Sequence, residues 1–581
     1  MVVLQLLSFW FLILGPVVAI WPQPSSISTG DTPLFINRDI KVTYNGNPIL
    51  FDPDYESPKI DSKNVVQGGV RRALGTIFNH GLYPWMFHPR NETRSFQPRL
   101  SDRSFLKILE ITQTGIDNPS TFKPLAGEVD ESYELSIEID GKASISAVSS
   151  TGILRALETF TQLFYTYSSY RDYYTPYAPV SIKDAPKFPH RGLMLDTSRS
   201  YYSVKSILRT IDGCAASKLN VLHWHITDAQ SWPLEIPALP ELSAKGAYNP
   251  NMVYTPEDVR MVQEYGIVRG VQVVLEVDQP GHISSLAWSH PELLTAYDYQ
   301  PYTDFCAEPP CGSLRLNDSA VERLLDKMMD DLLPRLQPFS AYFHNGGDEI
   351  KASNSAVDPS VGTNDTAVVS KLLQSYTDKS SARVRKAGMT PIVWEEIPVD
   401  WNVTLDADMV VHSWLGSDSV SKITNKGYKV IDANYNYLYL PCGLGQWVTF
   451  SPGSSYQNGE PFTDWCSPFK SWERVYSYNP TAGLTNEQAE KVIGSEATIW
   501  SEYTDELTLD GLAWPRTSVL GEILWTGPLN EDGQSGSRNQ TSAAPRINEL
   551  RERLVLRGIQ AARLQMTYCT EGGNCVQPLG A

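Results

Sequence analysis

The stretch Ala341-Tyr-Phe-His-Asn-Gly-Gly-Asp-Glu349 joins a short apolar run to two glycines and two adjacent acid residues. A run of this length predicts a buried strand, and the glycines that follow it predict the end of that strand. The carboxylates of Asp348 and Glu349 therefore stand just beyond the carboxyl end of a strand. Parallel α/β folds place their chemistry at this end.

Seven further apolar runs flank this stretch, at residues 193–195, 221–225, 271–277, 391–394, 409–414, 429–431 and 497–500. Apolar residues at helical spacing lie between most pairs of runs, at 204–217, 256–265, 319–336 and 366–387, and a last helix is predicted at about 546–566. Eight strand–helix units in succession predict an α/β fold, a (β/α)8 TIM barrel with inserted loops, over residues 184–581.

The part of the chain before the barrel has a different pattern. Residues 22 to about 100 are polar and rich in Pro, Gly and Ser, strand alternation follows at 133–139 and 143–147, and a helix is predicted over 152–164. We predict a small α+β accessory domain over 20–183. The boundary falls in the segment Asp184-Ala-Pro-Lys-Phe-Pro189.

Charge and composition exclude two classes of protein. The formal net charge of −18 excludes a nucleic-acid partner, because phosphate binding needs a basic face. Hydrophobic residues make up 41% of the 581 residues, which is enough to fill the cores of two domains. A largely disordered chain is therefore excluded as well.

The first residues of the chain predict export. An apolar run from Leu4 to Leu14 is followed by Gly15-Pro16 and by the small residues Val17-Val18-Ala19, which predicts a signal peptide over 1–19 and a secreted protein. The alternative is a membrane anchor, since residues 1–20 are just long enough to span a bilayer. Cleavage is the favoured outcome, and no stable membrane insertion is expected after it.

In an exported protein, Asn-x-Ser/Thr sequences can be glycosylated and cysteines can form disulfides. Glycosylation sites of the Asn-x-Ser/Thr type occur at Asn91, Asn317, Asn364, Asn402 and Asn539. Seven cysteines allow three disulfides, and local spacing suggests Cys306–Cys311, Cys442–Cys466 and Cys569–Cys575. Cys214 lies in a helical pattern and is predicted to be a buried free thiol.

Polar and aromatic residues recur at the carboxyl ends of the predicted strands. They are Asp196, His225, Asp228, Asp278, His282, Asp348, Glu349, Trp394, Trp414 and Trp500. These ends meet at one mouth of a barrel, which predicts a single pocket holding carboxylates, imidazoles and indoles. The mixture favours sugar hydrolysis, because carboxylates move protons and stabilise cationic centres while indoles desolvate them.

The adjacency of Asp348 and Glu349 bears on the mechanism. Two carboxylates that act on opposite faces of a sugar usually come from different strands. Neighbouring residues instead favour a division of labour. One carboxylate then acts on the leaving group and the other on a substituent beside the anomeric carbon.

Five motifs in order resemble glycoside hydrolase family 20, in particular its secreted fungal β-N-acetylhexosaminidases. His344-Asn-Gly-Gly-Asp-Glu349 matches the family's His-x-Gly-Gly-Asp-Glu. Arg191-Gly-Leu-Met-Leu-Asp-Thr-Ser-Arg199 matches the first barrel strand of the family, and His223-Trp-His-Ile-Thr-Asp-Ala-Gln-Ser-Trp232 matches the second. Glu276-Val-Asp-Gln-Pro-Gly-His282 matches the third strand, and Trp500-Ser-Glu502 with Trp514-Pro-Arg516 matches the last. The resemblance covers nearly the whole chain, since residues 152–164 are similar to the end of the family's accessory domain.

The resemblance implies a retaining exo-β-N-acetylhexosaminidase that works by substrate-assisted catalysis, without cofactor or metal. Glu349 is expected to be the general acid and base, Asp348 to hold the acetamido N–H and Tyr439 to orient the acetamido oxygen. The other expected pocket residues are Trp394, Trp414 and Trp500 around the acetamido methyl group, Arg191 and Glu502 at the ring hydroxyls, a network of Asp278, His282 and His344 that supports Glu349, and Asp228. The implied substrates are chitooligosaccharides or other glycans ending in N-acetylglucosamine or N-acetylgalactosamine, and a homodimer is implied as well.

Two positions depart from the family pattern. Asn345 stands where Leu, Ile or Val is common, and its side chain is expected to point away from the site. Pro441, in Tyr439-Leu-Pro441, replaces an Asp that helps to read a sugar hydroxyl, so the gluco or galacto preference stays open and Tyr437 competes with Tyr439. Trp472 and Trp447 are both candidates for the next subsite.

Two other functions are compatible with the same residues. His223 and His225 alternate on one strand and face one side, as metal ligands do. A metal-dependent hydrolase that uses them with His282 and Asp278 is therefore one alternative. The other is a glycan-binding protein that has lost catalysis, and the retention of both Asp348 and Glu349 argues against it.

Overall fold

A computed structural model of the protein describes residues 18–49, 59–86, 97–449, 462–527, 538–571 and 575. The chain forms a seven-stranded sheet followed by a closed barrel. The predicted signal peptide lies outside the described residues except for residues 18 and 19, and so does the glycosylation site at Asn91.

The seven-stranded sheet belongs to the accessory domain, and its long first strand pairs with both the third and the seventh strand. Its strands are β1 (Ser26–Tyr44), β2 (Asn47–Ile49), β3 (Phe105–Gln113), β4 (Tyr133–Ile137), β5 (Lys142–Ala147), β6 (Tyr165–Thr166) and β7 (Tyr173–Asp184), in the order β2-β1-β3-β5-β4-β7-β6. Helices α1 (Ser62–Asn79) and α2 (Ser150–Gln162) pack on it and on each other. Both helices begin at a side-chain cap, Asp61 for α1 and Ser149 for α2.

The barrel is built from parallel strands that neighbour one another in the closed order β8-β9-β10-β13-β14-β15-β16-β17. A small antiparallel ribbon of β11 and β12 follows β10. The bounds are β8 (His190–Asp196), β9 (Val221–Thr227), β10 (Gln272–Val277), β11 (Leu294–Thr295), β12 (Ser313–Leu314), β13 (Tyr342–His344), β14 (Thr390–Trp394), β15 (Val410–Ser413), β16 (Lys429–Asp432) and β17 (Val492–Ile499). The predicted (β/α)8 barrel is confirmed.

Helices surround the barrel and fill its connections. They are α3 (Val204–Ala216), α4 (Glu241–Gly246), α5 (Pro256–Ile267), α6 (Ser319–Leu336), α7 (Ala352–Val357), α8 (Thr366–Lys386), α9 (Glu396–Val399), α10 (Ser417–Asn425), α11 (Tyr435–Leu438), α12 (Trp472–Tyr476), α13 (Asn486–Ala489), α14 (Leu509–Ala513), α15 (Arg516–Thr526) and α16 (Gln540–Leu556). Their apolar faces and the outward side chains of the strands form one continuous core.

Several elements differ from the prediction: strands β3 and β7 were not predicted, and β17 begins five residues before the predicted run. Helix α1 was not predicted, although Val66, Val70, Leu74 and Ile77 recur at helical spacing and are buried. The last helix starts earlier and stops earlier than predicted. It ends because Gly558 adopts a left-handed conformation (φ 89°), in which glycine lacks the steric penalty of other residues.

The accessory domain meets the amino ends of the barrel strands through buried ion pairs. The Lys218 ammonium lies 3.0 Å from Asp184, and the indole of Trp525 donates to the same carboxylate. Glu131 accepts from Arg155 at 2.8 Å and from Arg191 at 2.6 Å. Charged groups excluded from water are kept only in such paired geometry, so these contacts fix the joint.

The predictions for the cysteines and for four of the five glycosylation sites can be compared with the structure. The three disulfides join the predicted partners, and Cys214 is a buried free thiol. The asparagines of the four described glycosylation sites, Asn317, Asn364, Asn402 and Asn539, are exposed. Among the described helices, none has both the length and the apolar character that crossing a bilayer requires.

Candidate active site

A cavity of about 460 Å³ opens at the carboxyl ends of the barrel strands. It has the size and the mixed lining of a small-molecule site. The side chains that line it and carry the argument below are Arg199, His282, Glu308, Asp348, Glu349, Trp414, Tyr439, Trp447, Trp465, Trp500, Glu502 and Tyr503.

The two glycines before Asp348 are required by close contact. A Cβ atom on Gly346 would lie 1.7 Å from an oxygen of Asp278, and Gly347 N donates to that oxygen at 2.9 Å. Both glycines have positive φ, and Glu349 itself sits at φ 51°. A left-handed conformation in a residue with a side chain is strained, and such strain concentrates at functional sites.

Glu349 is held by an imidazole. His282 Nε2 lies 3.1 Å from Glu349 Oε2 and 3.8 Å from Asp348 Oδ2, and its Nδ1 lies 3.1 Å from Asp228. The carboxylates around it raise the pKa of His282 well above its usual range against the opposing effect of burial. Both active carboxylates therefore gather around one cationic ring, on the same side of the pocket.

Asp348 forms a carboxyl pair with Asp278. Burial, and then the charge of Asp348, raise the pKa of Asp278 well above its usual range, and burial raises the pKa of Asp348. Two carboxyl groups that share a hydrogen bond need one proton between them. Asp278 is the deeper group, so we assign this proton to Asp278, which leaves Asp348 as the anion at the pocket.

Three aromatic rings form the inner wall. Trp414 and Tyr439 are parallel at 6.1 Å between centroids, and Trp500 lies 6.2 Å from Tyr439. The Trp414 indole donates to Glu396 at 2.9 Å, which fixes the plane of its ring. Burial raises the pKa of Tyr439, so its hydroxyl keeps its proton and can donate a hydrogen bond. These rings enclose a small, apolar recess beside the carboxylates.

A charged cluster lies on the other side of the pocket. Arg199 packs over the Trp500 ring at 4.9 Å and pairs with Asp228 at 2.9 Å and with Glu308. Burial, followed by the nearby Glu308, raises the pKa of Glu502 to about 8. This side offers a fixed cation and a protonated carboxyl group, which suit the hydroxyls of a sugar.

Aromatic side chains continue outward to the rim. Trp447, Trp465 and Tyr503 line the mouth and are 37%, 62% and 42% exposed. Trp465 meets Trp414 edge-on at 5.9 Å and follows Asp464, whose carboxylate accepts from Gly443 N and Gly445 N. An exposed indole next to a deep pocket suits a second sugar ring.

The prediction that Arg191 binds ring hydroxyls is wrong. Arg191 is the second residue of β8 and lies at the amino end of the barrel, where its guanidinium contacts Glu131 and the carbonyls of Phe188 and Lys218. The pocket residue from this motif is Arg199, which follows the carboxyl end of the same strand.

Three other expected pocket residues lie beneath the pocket floor. Trp394 is 1% exposed, donates to Glu276 at 2.8 Å and stacks on His412. His344 also faces Glu276, at 3.2 Å, and makes no described contact with Glu349. Asp228 is fully buried between Arg199 and His282. These residues, like Asp278, support pocket groups instead of lining the cavity, because strand side chains alternate between layers of the interior.

The open choices around the long loop after β16 are settled by position. Tyr439 lines the pocket, whereas Tyr437 packs on Tyr478 and Arg474. Trp472 belongs to the hydrophobic core, so its assignment to the pocket is wrong. Pro441 does line the cavity, so the Asp of the family pattern has no carboxylate in its place. Asn345 is buried and does not line the cavity.

The lining residues that sequence reasoning missed include Arg199, Glu308, Trp465 and Tyr503. Arg199 stands in a quoted motif, and its place three residues after the strand-ending Asp196 was a usable signal. Glu308 lies within the short loop closed by the Cys306–Cys311 disulfide, and Trp465 precedes a disulfide cysteine. Nothing in the local pattern of these two loops shows which way their side chains point.

The imidazoles proposed as metal ligands are paired with acids. His223 lies 2.8 Å from Glu276 and 3.0 Å from Glu496, and His225 lies 2.7 Å from Glu276 and 2.8 Å from Asp228. Each ring nitrogen thus already faces a carboxylate oxygen. This arrangement favours protonated imidazoles over metal ligands, since a proton on each nitrogen would face an acid oxygen, and three of the four contacts, all but that of His223 Nε2 with Glu276, are hydrogen bonds.

Comparison with known proteins agrees with this geometry. The model of the glycosyl hydrolase family 20 catalytic domain matches residues 188–528, and a model described as beta-acetyl hexosaminidase like matches residues 20–163. A beta-hexosaminidase of Arthroderma benhamiae is 38% identical over 96% of both chains. A chitooligosaccharidolytic beta-N-acetylglucosaminidase of Bombyx mori is 36% identical over 77% of this chain and 75% of its own. The crystal structure of a chitobiase from Flavobacterium johnsoniae superposes with a TM-score of 0.70 at 26% identity, over 95% of this chain and 74% of that one.

Proposed function

The chain belongs to glycoside hydrolase family 20, and from that premise we propose which of its residues carry out the reaction of a retaining exo-β-N-acetylhexosaminidase. The reaction removes terminal β-linked N-acetylglucosamine or N-acetylgalactosamine by substrate-assisted catalysis. The observation that carries the assignment is the shared imidazole: His282 Nε2 lies within 3.8 Å of both Asp348 and Glu349. Carboxylates gathered on one side of a sugar cannot attack it from opposite faces.

Glu349 moves the proton. It donates to the glycosidic oxygen as the leaving group departs, and it later takes a proton from the water that attacks. In between, the acetamido oxygen of the substrate attacks the anomeric carbon and forms an oxazolinium ion, so no carboxylate ester is needed. His282 supports both stages because its imidazolium favours the ionised form of Glu349 after the first proton transfer.

Asp348 and Tyr439 hold the acetamido group. The Asp348 anion accepts the amide N–H and offsets the positive charge that develops on the ring. The Tyr439 hydroxyl donates to the acetamido oxygen and aims it at the anomeric carbon. Trp414 and Trp500 supply the apolar recess for the methyl group, with Trp394 beneath them as support.

Arg199 and Glu502 bind the ring hydroxyls at the far side of the pocket. Arg199 replaces Arg191 in this proposal, because only Arg199 reaches the cavity. Pro441 removes a carboxylate from the family arrangement, so hydroxyl recognition rests more heavily on Glu502 and Glu308.

The substrate class and location follow from the rim and the covalent features. Exposed indoles at Trp447 and Trp465 suit a second sugar, which supports oligosaccharides ending in N-acetylhexosamine, including chitooligosaccharides. Three disulfides and four exposed glycosylation sites support passage through the secretory route and an extracellular location. The domain boundary between residues 183 and 184, and the homodimer, stay predictions.

Removing the acetamido group from the substrate is the direct test. A nitrophenyl β-N-acetylglucosaminide is expected to be hydrolysed at least about a thousandfold faster than the matching nitrophenyl β-glucoside, because only the first carries an internal nucleophile. The measurement is kcat/KM for the two substrates under the same conditions. Comparable rates would rule out the assisted mechanism, and no turnover of either would leave a glycan-binding protein.

Removal of divalent metals is expected to leave activity unchanged. The proposed steps use a carboxyl proton and an amide oxygen, and neither needs a Lewis acid. The measurement is kcat/KM after prolonged incubation with a strong chelator, beside a zinc hydrolase treated in the same way. Activity that is lost and then restored by zinc would favour the metal-dependent alternative at His223 and His225.

A further inference from the structure

A continuous chain of imidazoles and carboxylates runs through the barrel from Glu349 to the opposite end. Its members are Glu349, His282, Asp228, His225, Glu276, His223, Glu496 and His190, here called the inner chain. Successive nitrogen–oxygen distances are 3.1, 3.1, 2.8, 2.7, 2.8, 3.0 and 2.6 Å. Every link is therefore of hydrogen-bond length.

The barrel itself assembles this chain. His223 and His225 point inward from β9 because residues two apart share a face of a strand. Glu276 enters from β10 and Glu496 from β17 on either side. His190 is the first residue of β8 and lines a second cavity between the barrel floor and the accessory domain. The chain thus spans the barrel from floor to mouth.

The geometry of the rings bears on the number of protons in the chain. His225 and His282 hydrogen-bond a carboxylate oxygen through each ring nitrogen, with Arg199 also 3.3 Å from His282 Nδ1. His223 hydrogen-bonds Glu496 through Nδ1, and its Nε2 lies 2.8 Å from Glu276 without hydrogen-bond geometry. An ionised carboxylate can only accept, so an imidazolium, which carries a proton on both nitrogens, suits these contacts. Buried ions of alternating sign stabilise one another, whereas a single unpaired one is costly.

The pKa shifts of the histidines and glutamates agree with three imidazolium rings in the chain. Carboxylate neighbours raise the pKa of His223 to about 9 against the effect of burial, and they raise the pKa of His225 well above its usual range. The imidazoles in turn hold the pKa values of Glu276 and Glu496 well below their usual range, also against burial. Three cationic rings alternate with anions along the chain.

We propose that the inner chain sets the protonation of Glu349 from inside the barrel, with Glu276 as a positioning residue that touches no substrate. This inference rests on the proposed role of Glu349. The two carboxylate oxygens of Glu276 make separate sets of contacts, which explains its importance. Oε2 contacts both His223 and His225, and Oε1 contacts His344 and accepts from Trp394.

Few titratable groups face the carboxylates of Glu276 and Glu349. Those around Glu276 are His223 and His225 from β9, His344 from β13, His412 from β15, and Asp278 and Asp348 toward the mouth. Those around Glu349 are His282, Asp348, Glu396 and Tyr439. Between the two sets, the part of the inner chain from Glu276 through His225, Asp228 and His282 to Glu349 is hydrogen-bonded at every link.

Removing the charge of Glu276 is expected to shift the titration of Glu349 in a definite direction. In Glu276→Gln, His225 loses the anion that holds its second proton, and burial then favours the neutral ring. A positive charge disappears at His225, nearer to Glu349 in the chain than the negative charge removed at position 276. The surroundings of Glu349 become more negative, so Glu349 keeps its proton to higher pH.

The test is the pH dependence of kcat/KM for an N-acetylglucosamine disaccharide, whose leaving group needs the proton of Glu349. We expect the basic limb to move upward by about half a pH unit in Glu276→Gln, since the two charge changes nearly cancel at this range. Glu496→Gln, two links further away, is expected to give a smaller shift in the same direction. Histidine-selective ¹⁵N spectra of the native enzyme are expected to show three imidazolium rings above about pH 7.

Glu522→Gln is the matched control. Glu522 is a buried carboxylate bonded to Arg546 at 2.6 Å, far along the chain from the catalytic turn, and its loss is expected to leave the profile in place. A folded, active Glu276→Gln whose profile superposes on the native one overturns the inference, and so does a downward shift. If that variant does not fold, a native spectrum with fewer than three imidazolium rings overturns the inference alone. An active Glu349→Gln enzyme would instead refute the proposed function.

Discussion

Replacing Glu349 by glutamine is expected to lower kcat for a disaccharide substrate by about a thousandfold, because a neutral amide can neither donate nor accept the catalytic proton. The change is nearly isosteric and removes one contact, that with His282. KM is expected to change little, since the lost interaction belongs to the transition state. Steady-state kinetics on a disaccharide and on a nitrophenyl glycoside give the measurement.

The nitrophenyl substrate separates acid catalysis from other effects. Its leaving group departs without a proton, so the loss caused by Glu349→Gln is expected to be smaller there than on the disaccharide. Glu487→Gln, on the exposed face of α13, makes the same chemical change away from the pocket and should behave as the native enzyme. Full activity of the Glu349 variant on the disaccharide would overturn the assignment.

Replacing Asp348 by asparagine is expected to cost about a hundred- to a thousandfold in kcat, comparable to the loss of one preorganised group at a developing charge. Asp348 offers an anion beside the forming oxazolinium ion, and an amide offers none. Its partner Asp278 keeps its buried proton, so the pocket should keep its shape. The measurement is kcat on a nitrophenyl β-N-acetylglucosaminide, with thermal unfolding to verify the fold.

The substrate itself supplies the decisive control for Asp348. If Asp348 acts through the acetamido group, Asp348→Asn should leave the slow hydrolysis of a plain β-glucoside almost unchanged. Asp432→Asn is the matched variant, because Asp432 is also a buried acid at the end of a barrel strand but does not line the cavity. Equal losses on both substrates would show that Asp348 does not work through the amide.

Much of the fold was predictable because each barrel strand is a short, separate apolar run. All eight strands overlap the predicted runs, although β17 begins five residues earlier than predicted, and burial on both faces explains why they are apolar instead of alternating. Helix α1 was hidden because its apolar residues lie in a segment of polar average composition. Its amphipathic face, with Val66 and Leu74 buried, needed the sheet to reveal it.

The sequence predicted which strand ends form the site, but it did not predict which side chains at those ends reach the cavity. Asp348, Glu349, Trp414 and Trp500 reach the cavity, while Trp394 and His344 stop one layer below. Arg191 and Arg199 stand in one motif at opposite ends of one strand, so the motif alone does not tell which reaches substrate. Loop residues such as Glu308 and Trp465 carry no periodicity that fixes their direction.

The sequence was enough to predict the barrel, the family and the place of Asp348 and Glu349 just beyond the end of a strand, because apolar period and motif spacing are local properties that survive without coordinates. Which groups share a proton depends on the folded arrangement. Side chains far apart in sequence, such as His190, Glu276 and Glu496, meet only when the strands close, and hydrogen bonds act over about 3 Å, far below what spacing along a chain can specify.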